Sequence, residues 1–175
     1  MPVRRKRIAD ITRDILTGND VTGPPVPIEA IVKKHGLKLH FRRLDSDLSG
    51  FLYRDAIQSV IGVNSQHAKV RQRFTMAHEL AHFLLHRGES LHVDRAVQAK
   101  FRSTISSQGV NPEEIEANLF AASLLMPAEF LQRDIAEIKP TDILDDKSMT
   151  SLAKHYDVST QALLLRLVNL RFIEQ

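Results

Sequence analysis

The sequence contains no cysteine, and this absence limits the kinds of cross-link and metal site that the protein can form. Disulfide bonds and thiolate zinc clusters are both excluded, so any bound metal ion needs nitrogen and oxygen ligands. The ligand search is therefore limited to histidine, aspartate and glutamate, and the chain offers eight histidines. Glycine and proline are also few, with seven of each, as in ordinary globular proteins.

Long apolar runs are absent as well. The run FAASLLM at residues 120–126 is the longest, far below the roughly 20 residues that span a bilayer. The basic N-terminus passes directly into polar residues and so lacks the apolar stretch of a secretory signal. We therefore expect a soluble, cytoplasmic protein with no membrane partner, and 175 residues suffice for one well-buried core.

The positive charge of the chain is small and unevenly distributed. The formal net charge is +3, and four consecutive basic residues, 4–7, stand near the N-terminus. Such a cluster could contact nucleic acid. A solvated tail that leads into the first helix is the simpler interpretation, and it is the one we expect.

Hydrophobic periodicity predicts an α+β protein that is mainly helical, with a small antiparallel or mixed sheet. A loop-rich stretch is expected at 89–110, and the polar segment 139–146 is typical of a linker. Asn111 and Pro112 form a typical helix start, and the helix that follows is apolar on every side and should be buried. The predicted elements are helices at 8–18 and 27–36, a strand at 37–41, a hairpin at 49–65, helices at 70–86 and 111–126, a short helix from 127, and a helix pair at 151–173.

Residues 78–82 read HELAH, the HExxH pattern, within a segment whose periodicity independently predicts a helix. Residues four apart lie on one face of a helix about 6 Å apart along its axis, so His78 and His82 can direct their imidazoles at one ion. The alternative is a pair of ordinary histidines satisfied by hydrogen bonds. His86 continues the row, but each step rotates by about 40°, so we expect a structural role for it.

The HExxH pattern suits zinc peptidases for a chemical reason. Two neutral imidazoles bind Zn²⁺ without cancelling its charge, so the ion can lower the pKa of a bound water towards about 7. Glu79 lies beside the histidine pair, where its carboxylate can accept the proton of that water and later deliver it to the leaving amine. We therefore predict that Glu79 is the catalytic base and not a ligand.

A catalytic zinc needs a third protein ligand, and the buried helix at 111–126 can supply it. Glu116 is the candidate because it stands at the head of an apolar stripe, where an unpaired charge would cost several kcal/mol. Glu113 and Glu114 are the runners-up, since the helix dipole alone can explain acidic residues in a first turn. The alternative for Glu116 is a salt bridge with an arginine such as Arg95 or Arg102.

Two segments, HELAHFLLH at 78–86 and EIEANLFAASLLMP at 114–127, together resemble the ImmA/IrrE family of metallo-endopeptidases. The resemblance also covers GFLYRD and SVIGVNS before these motifs, GESLHVDRAVQAKFR between them and LAKHYDVSTQALLLRL after them. It implies a compact zincin-like fold in which His78, His82 and Glu116 bind Zn²⁺ and Glu79 is the catalytic base. It also implies a protein substrate, namely a helix-turn-helix repressor whose cleavage releases genes of mobile elements or stress responses.

On this basis we predict a zincin-like metallopeptidase domain at 1–138, with a helix-turn-helix-like helical segment at 139–175 packed on it. An extended substrate could add as a strand to an exposed sheet edge, for which Ser59 to Asn64 is the candidate. Three side chains are equal candidates for stabilising the oxyanion: Tyr53, His92 and Arg102.

The C-terminal helix pair supports a competing hypothesis, in which the protein is a regulator that binds DNA or a repressor without turnover. Ser159 can cap the second helix of such a motif. That helix reads TQALLLRLVNLRF, however, and has few polar side chains to reach bases or phosphates, so direct DNA binding is not expected. Asp157 stands where such turns often have glycine, and it needs a left-handed conformation there.

Overall fold

The computed structural model describes residues 2–86, 90–95, 111–138 and 145–173. Its described elements are seven helices and four strands, which confirms the predicted α+β class. In chain order they are α1 (Arg5–Gly18), α2 (Ile28–Lys34), β1 (Leu37–Arg42), β2 (Leu48–Arg54), β3 (Ser59–Asn64), α3 (Lys69–Leu85), β4 (Leu91–Arg95), α4 (Pro112–Leu125), α5 (Ala128–Ala136), α6 (Asp146–Tyr156) and α7 (Thr160–Asn169). No helix in the described part of the chain is long and apolar enough to cross a membrane.

Short polar side chains begin several helices, as the sequence predicts. The side chain of Asn111 accepts a hydrogen bond from the backbone N–H of Glu113 at 3.0 Å, and Pro112 occupies the first helical position of α4. Ser159 caps α7 by accepting from the backbone N–H of Ala162 at 3.1 Å. Local sequence therefore fixes where α4 and α7 begin.

The four strands form one mixed sheet in the order β1, β3, β2, β4. β1 pairs with β3 in parallel, whereas β2 pairs antiparallel with β3 and with β4. β3 therefore lies between two strands, which contradicts the prediction that Ser59–Asn64 is an exposed edge. The prediction failed because an edge strand and an interior strand of this length have similar composition.

β4 lies within the stretch 89–110, which is predicted from the sequence to be loop, so that prediction is wrong for Leu91–Arg95. It has only five residues and pairs on one side with β2 among the described strands. Leu91 and Val93 of β4 are exposed, as is typical of a short edge strand. Its hydrophobic alternation was too short to predict a strand.

The sheet packs closely against α3 at Gly50. A Cβ atom added there would lie 2.5 Å from the carbonyl oxygen of Gly62 and 2.5 Å from Cγ2 of Thr75. Only glycine allows the strand and the helix to approach this closely. The contact fixes the height of α3 over the sheet, one turn before His78.

α3 is the central helix of the core and packs most extensively against α4. α1 also packs against α4, and α2 packs against both α3 and β1. The buried side chains of α6 and α7 belong to the same hydrophobic cluster, including Leu152, Leu163 and Leu167. The two helices that carry the sequence motifs therefore contribute to this core.

Arg73 of α3 holds the C-terminal helix pair to the central helix. Its Nε donates to the carbonyl oxygen of Asp157 at 3.1 Å, and its Nη2 donates to the carbonyl oxygen of Val26 at 2.8 Å. Asp157 has φ 53° and ψ 49°, the left-handed conformation that the sequence analysis requires of it. The predicted helix, tight turn and helix are therefore present.

Candidate metal centre

Two imidazoles converge on α3. His78 and His82 are one helical turn apart, both buried, and their Nε2 atoms lie only 3.1 Å from each other. A pair of nitrogens this close suits two ligands of one ion, because zinc lies about 2.0 to 2.1 Å from each imidazole nitrogen. The convergence predicted from helix spacing is therefore present in the structure.

Asn118 of α4 orients the first imidazole. Its side-chain Oδ1 lies 3.0 Å from Nδ1 of His78 and can accept a hydrogen bond only from a protonated nitrogen. Nδ1 therefore carries the proton, and Nε2 carries the lone pair that faces His82. This is the usual arrangement for a metal-binding histidine, whose remote nitrogen donates to an oxygen.

The carboxylate that reaches the imidazole pair belongs to Glu114, in the first turn of α4. Its oxygens lie 3.4 Å from Nε2 of His82 and 3.7 Å from Nε2 of His78. Glu114 is buried and stands one turn before Asn118, so one face of α4 supplies both a carboxylate and an orienting amide. Because α4 begins directly after Asn111, its first turn lies level with His78 and His82.

His92 completes the cluster from the sheet. It lies opposite Leu52 in the β2–β4 register, and its Nε2 is 3.4 Å from a carboxylate oxygen of Glu114. Its ring stacks on that of His82 with centroids 3.8 Å apart. One ligand atom from each of four residues, His78, His82, His92 and Glu114, lies within 4.8 Å of all the others.

These four side chains fit a divalent metal ion. Three imidazoles and one carboxylate supply the nitrogen and oxygen ligands that zinc accepts in the absence of thiolates. Burial, followed in importance by the neighbouring imidazoles, lowers the pKa of His82 far below its usual range. Neutral imidazole is the form that binds a metal, so the environment of the site favours the ligand state.

Glu116 occupies a different position from the one predicted. Its carboxylate accepts hydrogen bonds from the backbone N–H of Arg4 at 2.7 Å and from Nε of Arg4 at 3.0 Å, and it also contacts His86. Hydrogen bonding from the Arg4 side chain is the main cause that lowers the pKa of Glu116 to about 2. Glu116 thus forms a salt bridge, the kind of interaction considered as its alternative, and its described partner is Arg4.

The geometry accordingly favours Glu114 over Glu116 as the carboxylate of the donor set. Sequence reasoning preferred Glu116 because its charge required a partner, and that partner is an arginine from the N-terminal segment. The helix dipole is a sufficient explanation for an acidic residue in the first turn of α4, so the position of Glu114 does not by itself indicate a metal ligand. The spacing of Glu114 and Asn118, four residues apart on one helix face, was the signal that could have identified it.

Glu79 is fully buried on α3, directly after the first imidazole. Burying a carboxylate is costly unless charge or hydrogen bonds balance it, so the burial of Glu79 points to a role other than stability. Its adjacency to His78 agrees with the role predicted for a catalytic base.

Of the three predicted oxyanion candidates, Tyr53 lies away from the metal cluster. The hydroxyl of Tyr53 donates to Asp55 at 2.9 Å beside the β2–β3 turn. Tyr53 pairs with Leu91, one register position from the His92 pair, and therefore faces the opposite side of the sheet. Arg102 lies outside the described residues. His92 is thus the oxyanion candidate that the described structure brings to the metal cluster.

The second helix of the C-terminal pair, α7, presents no exposed basic side chain. Arg166 is the one basic residue within α7, and it is buried, with Nε donating to the carbonyl oxygen of Met126 at 3.1 Å. Burial lowers its pKa to about 10. Leu164 is among the exposed side chains of α7, and it can neither pair with phosphate nor read a base edge. This helix serves to pack against the core.

Comparisons with known proteins identify the family of this chain. A family model described as the IrrE N-terminal-like domain matches residues 32–168. The chain is 34% identical over 113 residues to the radiation response metalloprotease IrrE of Deinococcus deserti, covering 65% of this chain and 37% of that protein. A Mycobacterium tuberculosis transcriptional regulator has a similar fold, with a TM-score of 0.62 at 16% identity over 93% of this chain and 46% of the regulator. The chain therefore spans less than half the length of either relative.

Proposed function

Because this chain belongs to the family of IrrE N-terminal-like domains, we propose that it is a zinc-dependent peptidase. The observation that carries the proposal is the buried convergence of His78, His82 and Glu114, next to the buried carboxylate of Glu79. Two imidazoles and a carboxylate are a known ligand set for catalytic zinc. The relationship to a protein named as a metalloprotease supports the same activity.

In this proposal His78, His82 and Glu114 hold the ion, whereas the sequence-based ligand set had Glu116 in place of Glu114. Bound zinc would supply an acidified water and a polarised substrate carbonyl. Glu79 would accept the proton from the attacking water and donate it to the departing amine. Burial beside the ligands would place the carboxylate of Glu79 in surroundings of low dielectric constant. The rate of proton transfer there depends strongly on the position of the carboxylate relative to the water.

His92 has a separate role in the proposed mechanism. Its side chain is 26% exposed, whereas those of His78 and His82 are at most 3% exposed, so it lies on the open side of the cluster. A catalytic zinc keeps one position for water or substrate. We assign His92 to that side, where an imidazole N–H could stabilise the oxyanion that forms on the substrate carbonyl.

The substrate would be a protein segment in an extended conformation, and a helix-turn-helix repressor is the substrate that the family resemblance implies. β4 replaces β3 as the candidate for strand addition, because its described partner lies on one side only and it carries His92. A peptide paired with β4 would run directly past the metal cluster. Such a position would bring a backbone carbonyl, and not a side chain, to the reacting centre.

The decisive experiment measures zinc content and peptide cleavage together. The wild-type protein should bind one zinc per chain and cleave either a candidate repressor or an unfolded protein substrate. Glu79→Gln should keep the zinc and lose about 10²- to 10⁴-fold in cleavage rate, the contribution typical of general acid–base catalysis. Glu113→Gln, an exposed change in α4, is the control and should match the wild type.

Two results would overturn the proposal: a wild-type chain that binds no zinc, or Glu79→Gln protein that cleaves as fast as wild type. A zinc-loaded chain that cleaves no candidate repressor but still hydrolyses a generic peptide would reject the substrate alone. A salt-dependent DNA shift without cleavage would instead favour the competing regulator. The buried state of Arg166 argues against that outcome.

A further inference from the structure

A metal-binding imidazole needs its second nitrogen held by a partner, and His82 has an unusual one. The Nδ1 atom of His82 lies 3.1 Å from Nδ1 of His86, which is also buried. Most metal-binding histidines donate this proton to an oxygen, whose role as acceptor is fixed. An imidazole nitrogen can donate or accept a hydrogen bond. The direction of this bond must therefore be set by the group that contacts the other ring nitrogen of His86.

Glu116 decides it. Nε2 of His86 lies 3.1 Å from a carboxylate oxygen of Glu116, and an ionised carboxylate can only accept. The N–H at Nε2 of His86 is therefore the donor of this bond, and the lone pair on Nδ1 of His86 faces Nδ1 of His82. That lone pair accepts the proton on Nδ1 of His82, which leaves Nε2 of His82 free to bind a metal.

Arg4 fixes Glu116 in turn. It binds the carboxylate with its backbone N–H, its Nε and its Nη2, and the same Nη2 donates to the carbonyl oxygen of Leu85 at 3.3 Å. These bonds join the start of α1 to the end of α3 and to the first half of α4. Arg4, at the outer end, has a side chain that is 38% exposed, whereas that of Glu116 is 5% exposed.

We propose that Arg4, Glu116 and His86 form a positioning relay that holds His82 in the tautomer whose Nε2 faces the metal. The inference rests on the proposed metal site, and it gives Glu116 a role other than ligand. It also gives the N-terminal basic cluster a function: Arg4 is part of the metal centre, whereas Arg5, Lys6 and Arg7 are exposed.

The two zinc-binding imidazoles are therefore controlled in different ways. His78 is oriented by one fixed acceptor, Asn118, on the neighbouring helix. His82 is oriented through three residues in series, the last of which lies outside both motif helices. Changes in the N-terminal segment should consequently affect metal binding through His82 and leave His78 unaffected.

The first test uses the metal-free protein, so it does not depend on whether the chain is a peptidase. Nitrogen-15 chemical shifts of the histidine rings distinguish protonated from unprotonated ring nitrogens. We expect the proton on Nδ1 of His82 and on Nε2 of His86 in the wild type. In Glu116→Ala protein we expect mixed tautomers for His86 and His82, and a single tautomer for His78. The opposite tautomers in the wild type would overturn the relay.

The second test measures zinc affinity by competition with a chelator, together with thermal unfolding. His86→Leu removes both ring nitrogens and should weaken zinc binding about 10- to 100-fold, the usual effect of losing an orienting partner. His86→Gln keeps one acceptor and one donor and should restore most of the affinity. If the two variants bind zinc equally while both remain folded, His86 merely fills space and the relay is wrong.

Arg4→Ala and Arg5→Ala form a matched pair of adjacent substitutions. Arg4→Ala should weaken zinc binding by up to about tenfold, the lower end of the range for orienting partners, and Arg5→Ala should have no effect. Equal affinities would remove Arg4 from the relay. Failure of the proposed function differs from failure of the relay: a chain that binds zinc through the predicted tautomers but cleaves nothing rejects the peptidase alone.

Discussion

The metal centre and the C-terminal helix pair bury different kinds of side chain. The last turns of α3 place His78, Glu79 and His82 in the interior, all of them polar. α6 and α7 bury mainly apolar side chains, among them Leu152 and Leu163. Burial of apolar surface stabilises a fold, whereas burial of ionisable groups usually does not. The first region is therefore arranged for chemistry and the second for stability.

This contrast predicts that substitutions in the two regions should have separable effects. Changes at the metal centre should alter zinc binding and leave the metal-free fold nearly as stable. Changes in the helix pair should lower the free energy of unfolding and leave zinc binding by the folded protein intact. Four substitutions test that separation.

The largest effect is expected from Glu114→Ala, which removes a proposed ligand. Zinc affinity should fall by more than the 10- to 100-fold that loss of an orienting partner causes. Unfolding of the metal-free protein should change little, because a buried carboxylate among imidazoles contributes weakly to stability. Competition with a chelator measures the affinity, and Glu113→Ala in the same helical turn is the control. Wild-type affinity in Glu114→Ala protein would return the ligand role to Glu116.

Sequence reasoning identified the parts of the site that depend on one helix at a time. Helical spacing alone paired His78 with His82, and the capping residues located the start of α4. The choice between Glu114 and Glu116 depends instead on how α4 rotates against α3. A helix that is apolar on every side does not encode that rotation in its periodicity.

Two other features were not predicted because they depend on contacts between distant parts of the chain: the partner of Glu116 and the interior position of β3. Arg4 and Glu116 are 112 positions apart, and nothing local in either segment indicates their salt bridge. The order of strands in the sheet is likewise a tertiary property, so the sequence could predict the β2–β3 hairpin but not that β3 is interior. The division into 1–138 and 139–175 stays a prediction.

The next largest effect is expected from Leu163→Ala in α7. Leu163 is fully buried, and removing such a side chain costs about 2 to 5 kcal/mol in the free energy of unfolding. Denaturant titration measures this loss, and zinc bound per folded chain should be unchanged. Leu164→Ala, at the neighbouring exposed position, should change stability by no more than about 0.5 kcal/mol. Loss of zinc from folded Leu163→Ala protein would show that the regions are not separable.

A smaller effect is expected from Tyr156→Phe at the end of α6. The hydroxyl of Tyr156 donates to a carboxylate oxygen of Asp134 at 2.7 Å, and losing a hydrogen bond to a charged group costs about 1.5 to 3 kcal/mol. Burial, followed by this bond, raises the pKa of Tyr156 well above its usual value of about 10.

The raised pKa of Tyr156 also predicts a pH dependence. The stabilisation should be complete below about pH 10 and should decline as the pH rises further, because the unfolded tyrosine ionises first. Denaturant titration of both proteins from pH 8 to pH 11 should show their difference narrowing only at the alkaline end. A constant difference across that range would mean that the folded and unfolded tyrosines have the same pKa.

The smallest effect is expected from Asp157→Gly, in the turn between α6 and α7. Glycine adopts the left-handed conformation of Asp157 without steric cost, whereas the lost ion pair with Arg73 is partly exposed and contributes at most about 1 kcal/mol. These two effects oppose each other, so unfolding should change by less than about 1 kcal/mol. Asp157→Val should cost about 1 to 2 kcal/mol more than Asp157→Gly, because a β-branched side chain is strained at positive φ. Equal stability of the two variants would mean that the turn changes to another conformation when valine is introduced. The hydrogen bonds of Arg73 alone would then be insufficient to hold the helix pair in its position against α3.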